Sequence, residues 1–345
     1  ISYSDTVVPI LQEKCVSCHR PGGIGPWAMT SHAMVQGFSP MIREVILTKR
    51  MPPWHADPKI NQFKHDMGLT TQQAQTLVQW IDEGARSDGS ADPLLAVGER
   101  ETEWELGEPD LVLDLPAFTV PATGTLDYQI LTVENPLDRD VWVRAVQIVP
   151  SDSTTGRAMI ATEAESTGVL VPAGSTFFSQ MHYTTYGRES TDRTKIGLYF
   201  SEVEPEFTLQ HYAMLNVDLR IPPGEANYEA GAYYQFQKDA VIYSLFPHAH
   251  YRGRSSTFSL AYPDGREELV LSVPNYDFNW QRYFQLQEPI HAPAGTRLIH
   301  RTVYDNSEAN LSNPDASKLV RFGEQTWEEM LYGGVSFRFE HKEDD

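Results

Sequence analysis

The sequence predicts a multidomain protein in which a small all-α domain precedes two all-β domains, each an antiparallel sandwich of jelly-roll-like type. Helical periodicity is confined to about the first 90 residues. Short apolar runs separated by Pro, Gly, Asn and Asp fill the remainder. The length of 345 residues agrees with several domains, because single cores stop growing at about 250 to 300 residues. We place the domains at residues 1–98, 99–215 and 216–345.

The clearest element of the α domain is a helix predicted from Thr70 to Gly84. Thr70 or Thr71 can act as its N-cap, and Gly84 is suited to its C-terminal cap. The apolar positions that follow helical spacing are Ala74, Leu77, Val78 and Ile81. A polar and acidic stretch, residues 87–110, then predicts the connection to the β domains.

The β pattern is clearest in four runs, at residues 111–115, 141–149, 195–200 and 241–246. Roughly 235 residues of such short strands exceed what one small sandwich takes, so the pattern favours two sandwiches.

Composition limits the class of protein. The chain is 41% hydrophobic, yet it contains no apolar stretch approaching the roughly 20 residues that a membrane helix needs, so no membrane span is expected. The formal net charge is -20, and the acidic excess lies after residue 100. Such a surface disfavours nucleic acid as a partner and favours neutral or cationic partners.

The two cysteines of the chain, Cys15 and Cys18, lie in a C-x-x-C-H motif that ends at His19. Thiols at this spacing can form thioethers with the vinyl groups of a haem, while the adjacent imidazole binds the iron. A redox dithiol or half of a zinc site is the competing interpretation. The sequence has no second cysteine pair and no thioredoxin-like βαβ pattern, which favours covalent haem c.

The sixth iron ligand is expected to be Met51, because Pro52 and Pro53 stiffen the loop that would hold its thioether. Other candidates remain open on sequence grounds: Met29, Met34, Met41, Met67, His32, His55 and His65. For each other methionine, core packing is the competing interpretation.

The segments CVSCH, MPPW and LVQWIDEGA resemble the small cytochrome c domains fused to bacterial oxidoreductases. The resemblance covers roughly the first quarter of the chain. It implies a periplasmic or secreted protein, because haem of this type is attached outside the cytoplasm. The chain begins at Ile1 without an initiator methionine, and we therefore expect that a targeting peptide has been removed or left out.

A second candidate metal site is the pair His248 and His250. Two residues apart on a β-strand, their imidazoles would point to the same face and could chelate a metal. An isolated H-x-H pair is also compatible with ordinary surface or core histidines. The histidines that have no nearby chelating partner are expected to be structural or exposed: His211, His291, His300 and His341.

The segments FPHAHYRGR, YDNSEANLSNP and QTWEEM resemble the catalytic-copper half of the copper type II, ascorbate-dependent monooxygenases, the family of dopamine β-monooxygenase and peptidylglycine α-hydroxylating monooxygenase. The resemblance implies a copper ion bound by His248, His250 and Met330. A soft thioether beside two imidazoles favours Cu(I), the state that reacts with dioxygen. Tyr251 and Arg252 become candidates for supporting the ligands.

The chain departs from this family at two places. His182, in SQMHYTTYG, matches the third histidine of the family's electron-transfer copper, but the His-His pair is missing and no histidine occurs between His65 and His182. We therefore expect one copper ion. The substrate clamp of the peptide-acting enzyme is also replaced, by Phe246, Tyr332 and Gly334, which favours a small or apolar substrate.

Together these features predict a monooxygenase that hydroxylates a C–H bond with dioxygen, using electrons that an external donor supplies and the haem relays. Two alternatives remain open: a non-catalytic protein for electron transfer or copper binding, and a copper oxygenase driven by peroxide.

Overall fold

The computed structural model describes residues 1–89, 91–98, 103–151, 158–161 and 166–341. The helices of this part of the chain all lie before residue 97. They are a π-helical turn (Tyr3–Val7), α1 (Val8–Lys14), α2 (His32–Gly37), α3 (Ser39–Leu47), α4 (Thr71–Asp82) and a 3-10 turn (Pro93–Ala96). None of these helices is long and apolar enough to cross a membrane.

Helix α4 confirms the helix predicted at residues 70–84. The Thr70 hydroxyl accepts a hydrogen bond from Gln73 N at 3.1 Å, and Gln73 Oε1 accepts one from Thr70 N at 2.9 Å. This reciprocal capping box satisfies two N–H groups that the first turn would otherwise leave unpaired. Gly84 follows the helix with a φ of 97°, a left-handed conformation that glycine adopts without a Cβ clash.

The helices share one apolar core, because each contributes a buried face. Leu11 of α1, Val35 of α2, Ile42 of α3 and Leu77 of α4 lie in it. Cys15, Val16 and Trp27 pack against the same core while remaining partly exposed. The C-x-x-C-H motif therefore follows α1 directly and packs against the core of the helical part.

The first group of strands covers residues 111–208. It comprises β1 (Leu111–Asp114), β2 (Phe118–Val120), β3 (Gln129–Glu134), β4 (Val141–Val149), β5 (Ala158–Ala161), β6 (Thr167–Val171), β7 (Thr176–Met181), β8 (Ser190–Asp192), β9 (Lys195–Phe200) and β10 (Phe207–Thr208). The main sheet has the order β1-β9-β4-β6-β10, with β5 paired to β4, while β2 pairs with β8 and β3 with β7. All pairs described here are antiparallel except β10 with β6.

The second group of strands covers residues 210–339. It comprises β11 (Gln210–Leu215), β12 (Arg220–Ile221), β13 (Tyr228–Gln235), β14 (Ala240–His248), β15 (Gly253–Ala261), β16 (Glu267–Val273), β17 (Phe284–Ala292), β18 (Arg297–Tyr304), β19 (Val320–Arg321) and β20 (Tyr332–Phe339). Two antiparallel four-stranded sheets have the orders β11-β20-β14-β17 and β13-β18-β15-β16, and β12 pairs with β19.

These two four-stranded sheets bury a common apolar core. Ile242 and Phe337 come from the first sheet, and Phe258 and Leu298 come from the second. All four side chains are at most 3% exposed. Two antiparallel sheets with one shared core are consistent with a β-sandwich.

The predicted strand runs are confirmed. β4 and β9 coincide with the runs at 141–149 and 195–200, and β1 and β14 overlap the other two. The predicted boundary at 98/99 adjoins residues 99–102, which lie outside the described residues. The predicted boundary at 215/216 follows β11, but β11 pairs with β20, so hydrogen bonding groups residues 210–215 with the second set of strands.

The helical part packs on the second group of strands through the loop between α3 and α4. Asp57 N donates to Ser272 O at 2.8 Å, and Phe63 forms an antiparallel bridge with Leu286. Phe63 lies inside the sandwich core, where its ring is 5.5 Å from that of Phe284. The loop therefore joins the helical part to the second group of strands.

Candidate metal centres

The C-x-x-C-H motif continues the turn geometry of α1. Cys15 N donates to Leu11 O at 2.9 Å, and His19 N donates to Cys15 O at 2.9 Å. Both cysteines are free thiols. Local backbone hydrogen bonds thus fix the spacing of the two thiols and the imidazole that the haem interpretation requires.

His19 is oriented by a backbone carbonyl. Its Nδ1 donates to Trp27 O at 3.0 Å, which leaves Nε2 with a lone pair for a metal. Burial lowers the pKa of His19, so the imidazole is neutral at pH 7. Gly25 passes directly beside the ring, since a Cβ built there would lie 2.7 Å from Nδ1. This arrangement leaves Nε2 of His19 able to bind an iron ion.

Met51 lies in the loop that docks the helical part onto the strands. Its backbone N donates to Val45 O at 3.2 Å, and Trp54 N donates to Pro52 O at 2.8 Å. The Trp54 ring packs 5.3 Å from Phe284. These contacts hold the loop in place, and the assignment of Met51 to iron stays a prediction.

Two of the competing sixth ligands are engaged elsewhere. Met29 is 3% exposed and belongs to the helical core. His32 Nε2 donates to Ala85 O at 2.8 Å.

The predicted copper ligands His248 and His250 lie side by side where β14 ends. β14 ends at His248, so His250 lies just beyond the strand rather than within it. The ring centroids are 5.2 Å apart, with an interplanar angle of 88°. His248 Nδ1 donates to Gln281 Oε1 at 2.6 Å, which leaves its Nε2 to face a metal.

His250 carries the clearest sign of a missing partner. The side chain is 1% exposed, and its buried Nε2 has no hydrogen-bond partner. Burial, reinforced by the neighbouring His248, lowers the pKa of His250 to about 4, so the ring is neutral at pH 7. A neutral, buried imidazole nitrogen without a partner fits a metal ligand.

Glu329 links the third predicted ligand, Met330, to the histidine segment. Its fully buried carboxylate accepts hydrogen bonds from His250 N at 2.8 Å, Arg252 N at 2.7 Å and Met330 N at 3.2 Å. Tyr304 also donates its hydroxyl to Met330 O at 2.7 Å. The backbone of Met330 is therefore fixed beside that of His250.

The register of β14 and β20 agrees with this arrangement. The pairing of β14 with β20 ends at His248 and Tyr332, so His250 and Met330 each lie two residues beyond it, on neighbouring segments of the chain. Burial raises the pKa of Glu329 to about 7, while the three N–H donors and Arg252 lower it.

Arg252, predicted to support the ligands, is 2% exposed. Its Nε donates to Asn306 Oδ1 and its Nη1 to Trp327 O, each at 2.9 Å. It therefore joins the histidine segment to the loop that precedes Met330. Tyr251 instead packs its ring 4.8 Å from Phe278.

Aromatic side chains line the approach to His248. Phe246 stacks on Tyr283 with ring centroids 4.5 Å apart, and Tyr332 lies edge-on to His248 at 5.8 Å. Gly334 lies against Phe246, because a Cβ built there would approach the Phe246 Cβ to 3.0 Å. Phe246, Tyr332 and Gly334 are thus adjacent.

His182 belongs to the first group of strands and lies near this site. Its ring stacks on Tyr128 with centroids 3.4 Å apart, and its Nε2 contacts Gln180 Oε1 at 3.4 Å. A positive charge on His182 would lower the pKa of both His248 and His250, so the three imidazoles are close enough to interact.

A separate cluster lies at the other end of β14. Among the described residues, Asp239, Glu340 and His341 form the one group of three His, Cys, Asp or Glu side chains whose ligand atoms all lie within 4.8 Å. Sequence reasoning missed it because Asp239 and His341 are far apart in the chain. Glu340 also accepts a hydrogen bond from His291 Nδ1 at 2.8 Å.

Sequence reasoning also missed Glu329 and Gln281, which hold the predicted ligands. Glu329 lay within the segment QTWEEM, where its position beside Met330 was the available signal. Gln281 had no signal, because it lies 33 residues from His248 in an irregular segment.

No family model matches the chain, and no curated protein matches it. Among solved structures, the VP2 subviral particle of infectious bursal disease virus is 12% identical with a TM-score of 0.22, over 61% of this chain and 57% of that chain. Latent PorU from Porphyromonas gingivalis is 9% identical with a TM-score of 0.20, over 66% of this chain and 24% of that chain.

The tandem CBM22 domains of Xyn10C from Paenibacillus barcinonensis are 10% identical with a TM-score of 0.20, over 68% of this chain and 80% of that chain. The chain thus spans less than two thirds of the viral protein and of PorU. At these TM-scores, the likeness carries no argument about fold or function.

Proposed function

We propose that this chain is an exported oxidoreductase with one covalent haem c and one copper ion, and that it hydroxylates a C–H bond of a small or apolar substrate. The observation that carries the proposal is the buried, unpartnered Nε2 of His250 beside His248. The segment resemblance to copper type II, ascorbate-dependent monooxygenases supports the same assignment.

The helical part would be the cytochrome c domain. Cys15 and Cys18 would form the thioethers, and His19 would bind the iron through Nε2 while Trp27 O holds its Nδ1 proton. Met51 is the proposed sixth ligand. Attachment of haem by this chemistry supports a periplasmic or secreted location.

The copper ion would be held by His248, His250 and Met330. The fit rests on two neutral imidazoles and a thioether whose backbone Glu329 fixes beside them. When bound, the copper would supply one-electron chemistry towards dioxygen, and the haem would supply stored electrons from an external donor. Gln281 orients His248 by accepting its Nδ1 proton.

The surroundings of His248 support an apolar substrate. Phe246, Tyr283 and Tyr332 offer aromatic surface and no positive charge. An apolar substrate loses little hydration free energy on entering such a surface, whereas a carboxylate would lose much of its hydration without finding a cation. The two strand groups would be the two sandwiches that the resemblance implies.

The first test is metal analysis of copper-reconstituted protein. We expect one copper per covalent haem in the wild type and in His341→Ala, and loss of tight copper binding in His248→Ala with an intact haem spectrum. His341→Ala is the matched control because His341 belongs to the other cluster of possible ligands. Copper retained by His248→Ala but lost by His341→Ala would overturn the site assignment.

Measurements of turnover with different co-substrates distinguish a monooxygenase, a peroxide-driven oxygenase and a non-catalytic protein. Oxygen consumption that requires a reductant, an apolar substrate and His248 would support the monooxygenase. Turnover with hydrogen peroxide alone would replace it with a peroxide-driven oxygenase, and an inert loaded protein would replace it with a non-catalytic redox protein.

A further inference from the structure

Two arginines near the C-x-x-C-H motif have buried Nε atoms without a hydrogen-bond partner. Arg20 follows His19 directly, and Arg282 lies near Cys18. Buried donors are nearly always paired in folded proteins, since an unpaired donor loses its hydration without gaining a hydrogen bond. Both arginines therefore indicate an anionic or polar partner beside the motif.

The chemistry of the implied partner follows from the proposed haem. A covalently held haem carries two carboxylates, and a guanidinium is the side chain best suited to pair with a carboxylate at a partly buried site. Arg282 comes from the second group of strands, so such a pair would join the helical part to that group.

Arg282 is also adjacent to the residue that contacts the proposed copper ligand. Gln281 accepts the Nδ1 proton of His248 at 2.6 Å, and its own Nε2 donates to Phe278 O at 3.1 Å. Gln281 and Arg282 are neighbours in the chain, and consecutive Cα atoms are about 3.8 Å apart. One peptide unit therefore separates the residue that contacts His248 from the residue that lies near the C-x-x-C-H motif.

This stretch lies against the docking loop. Pro53 and His55 of the loop line one cavity together with Pro247, Trp280 and Arg282. Pro53 follows the candidate sixth ligand by two residues, and Pro247 precedes His248. The packing of the loop on the strands thus holds the two centres in a fixed relation.

We propose that Arg282 is the counter-ion of a haem carboxylate, and that Gln281 and Arg282 form a two-residue link through which the charge of each metal centre shifts the redox potential of the other. The inference rests on the proposed function. Its physical basis is that a guanidinium whose Nε is buried interacts with neighbouring charges more strongly than one in bulk water does. Arg282 is a positioning and charge-tuning residue, because it acts through the haem carboxylate.

The test is a redox titration of the haem absorbance in wild type, Arg282→Gln and Arg282→Lys. A nearby positive charge favours the reduced haem, so Arg282→Gln should lower the midpoint potential. We expect at least a tenfold fall in the equilibrium constant for haem reduction, about 59 mV for one electron. Arg282→Lys should stay closer to the wild type because it keeps the charge.

Arg301→Gln is the matched control, because Arg301 is exposed on β18 and faces Glu229. An equal potential in the wild type and in Arg282→Gln would overturn the counter-ion role. Purified protein without covalent haem would instead contradict the proposed function, so the two failures are distinguishable.

The link is tested in wild-type protein without any variant at Arg282. Adding one equivalent of Cu(II) places positive charge beside Gln281, so the haem potential should rise, and it should stay constant in His248→Ala. Stoichiometric copper binding with an unchanged haem potential would overturn the coupling while leaving the copper site intact.

Discussion

Glu329 illustrates how one buried side chain can fix the backbone of the proposed copper ligands without being a ligand itself. Its carboxylate satisfies the backbone N–H groups of His250, Arg252 and Met330. The neighbouring carboxylate of Glu328 is engaged differently, because its Oε2 accepts a hydrogen bond from Gln325 N. The site therefore depends on a residue that is itself neither a ligand nor exposed.

We expect Glu329→Ala to lower the free energy of unfolding of the metal-free protein by about 3 kcal/mol, since it leaves three buried donors unpaired. Glu329→Gln keeps one carbonyl oxygen as an acceptor and should lose less. Urea unfolding measures both, with the exposed Glu267→Ala as a control that should change stability by less than about 0.5 kcal/mol. Equal stability of Glu329→Ala and wild type would contradict the structural role.

A substitution at Gly25 tests the proposed haem attachment through a single residue. A Cβ at position 25 would lie 2.7 Å from His19 Nδ1, so Gly25→Ala should push the imidazole from Trp27 O and reduce haem incorporation. Gly37→Ala is the matched control, because a Cβ there meets no atom within 4 Å. Haem content per chain, measured by absorbance, should fall in Gly25→Ala alone. Equal haem content in both variants would show that the close approach is unimportant.

Sequence reasoning identified residues that carry recognisable chemistry at short spacing. His19, His248 and His250 stood out because their neighbours in the chain define a motif. Gln281 and Arg282 could not be identified in this way, since the contact of Gln281 with His248 and the position of Arg282 near Cys18 depend on tertiary packing. Residues that support a site do so because the fold brings them next to it. The spacing of residues in the sequence does not show which distant segments the fold brings together.

At the scale of elements, the predicted helix at 70–84 and the predicted strands were found because periodicity and caps are local signals. The loop between α3 and α4 shows no helical or strand periodicity of apolar residues. The sequence therefore did not predict that this loop packs the helical part on the second group of strands. Its apolar side chains Trp54, Ala56 and Phe63 pack on the core of the second group of strands rather than on the helices alone.

Phe63→Ala tests this docking element. Phe63 is 6% exposed within the sandwich core, and its truncation should cost about 3 to 5 kcal/mol in the free energy of unfolding. We also expect faster protease cleavage within residues 54–64, because Asp57 and Lys64 would lose their fixed backbone hydrogen bonds more often. The exposed Phe178→Ala, 73% exposed, is the control. Unchanged stability and cleavage in Phe63→Ala would show that the helical part is held by other contacts.

At the scale of the whole molecule, the chain brings together motifs that are distant in sequence. The C-x-x-C-H motif and the H-x-H pair are separated by more than half of the chain, yet Arg282 and Gln281 connect their surroundings. The order of domains along the chain does not reveal this contact, because the helical part precedes the first group of strands but packs on the second.

His182 belongs to the first group of strands and lies near the histidine pair of the second group, so its role decides how many imidazoles the proposed copper site contains. The ring lies near His248 and His250, but the three do not form a group whose ligand atoms all lie within 4.8 Å. Its stacking on Tyr128 holds it to the first group of strands. We therefore expect His182→Ala to keep one copper per chain with an unchanged Cu(II) electron paramagnetic resonance spectrum, whereas His248→Ala should lose both. Loss of copper from His182→Ala would make His182 a ligand, and the copper site would then span both groups of strands.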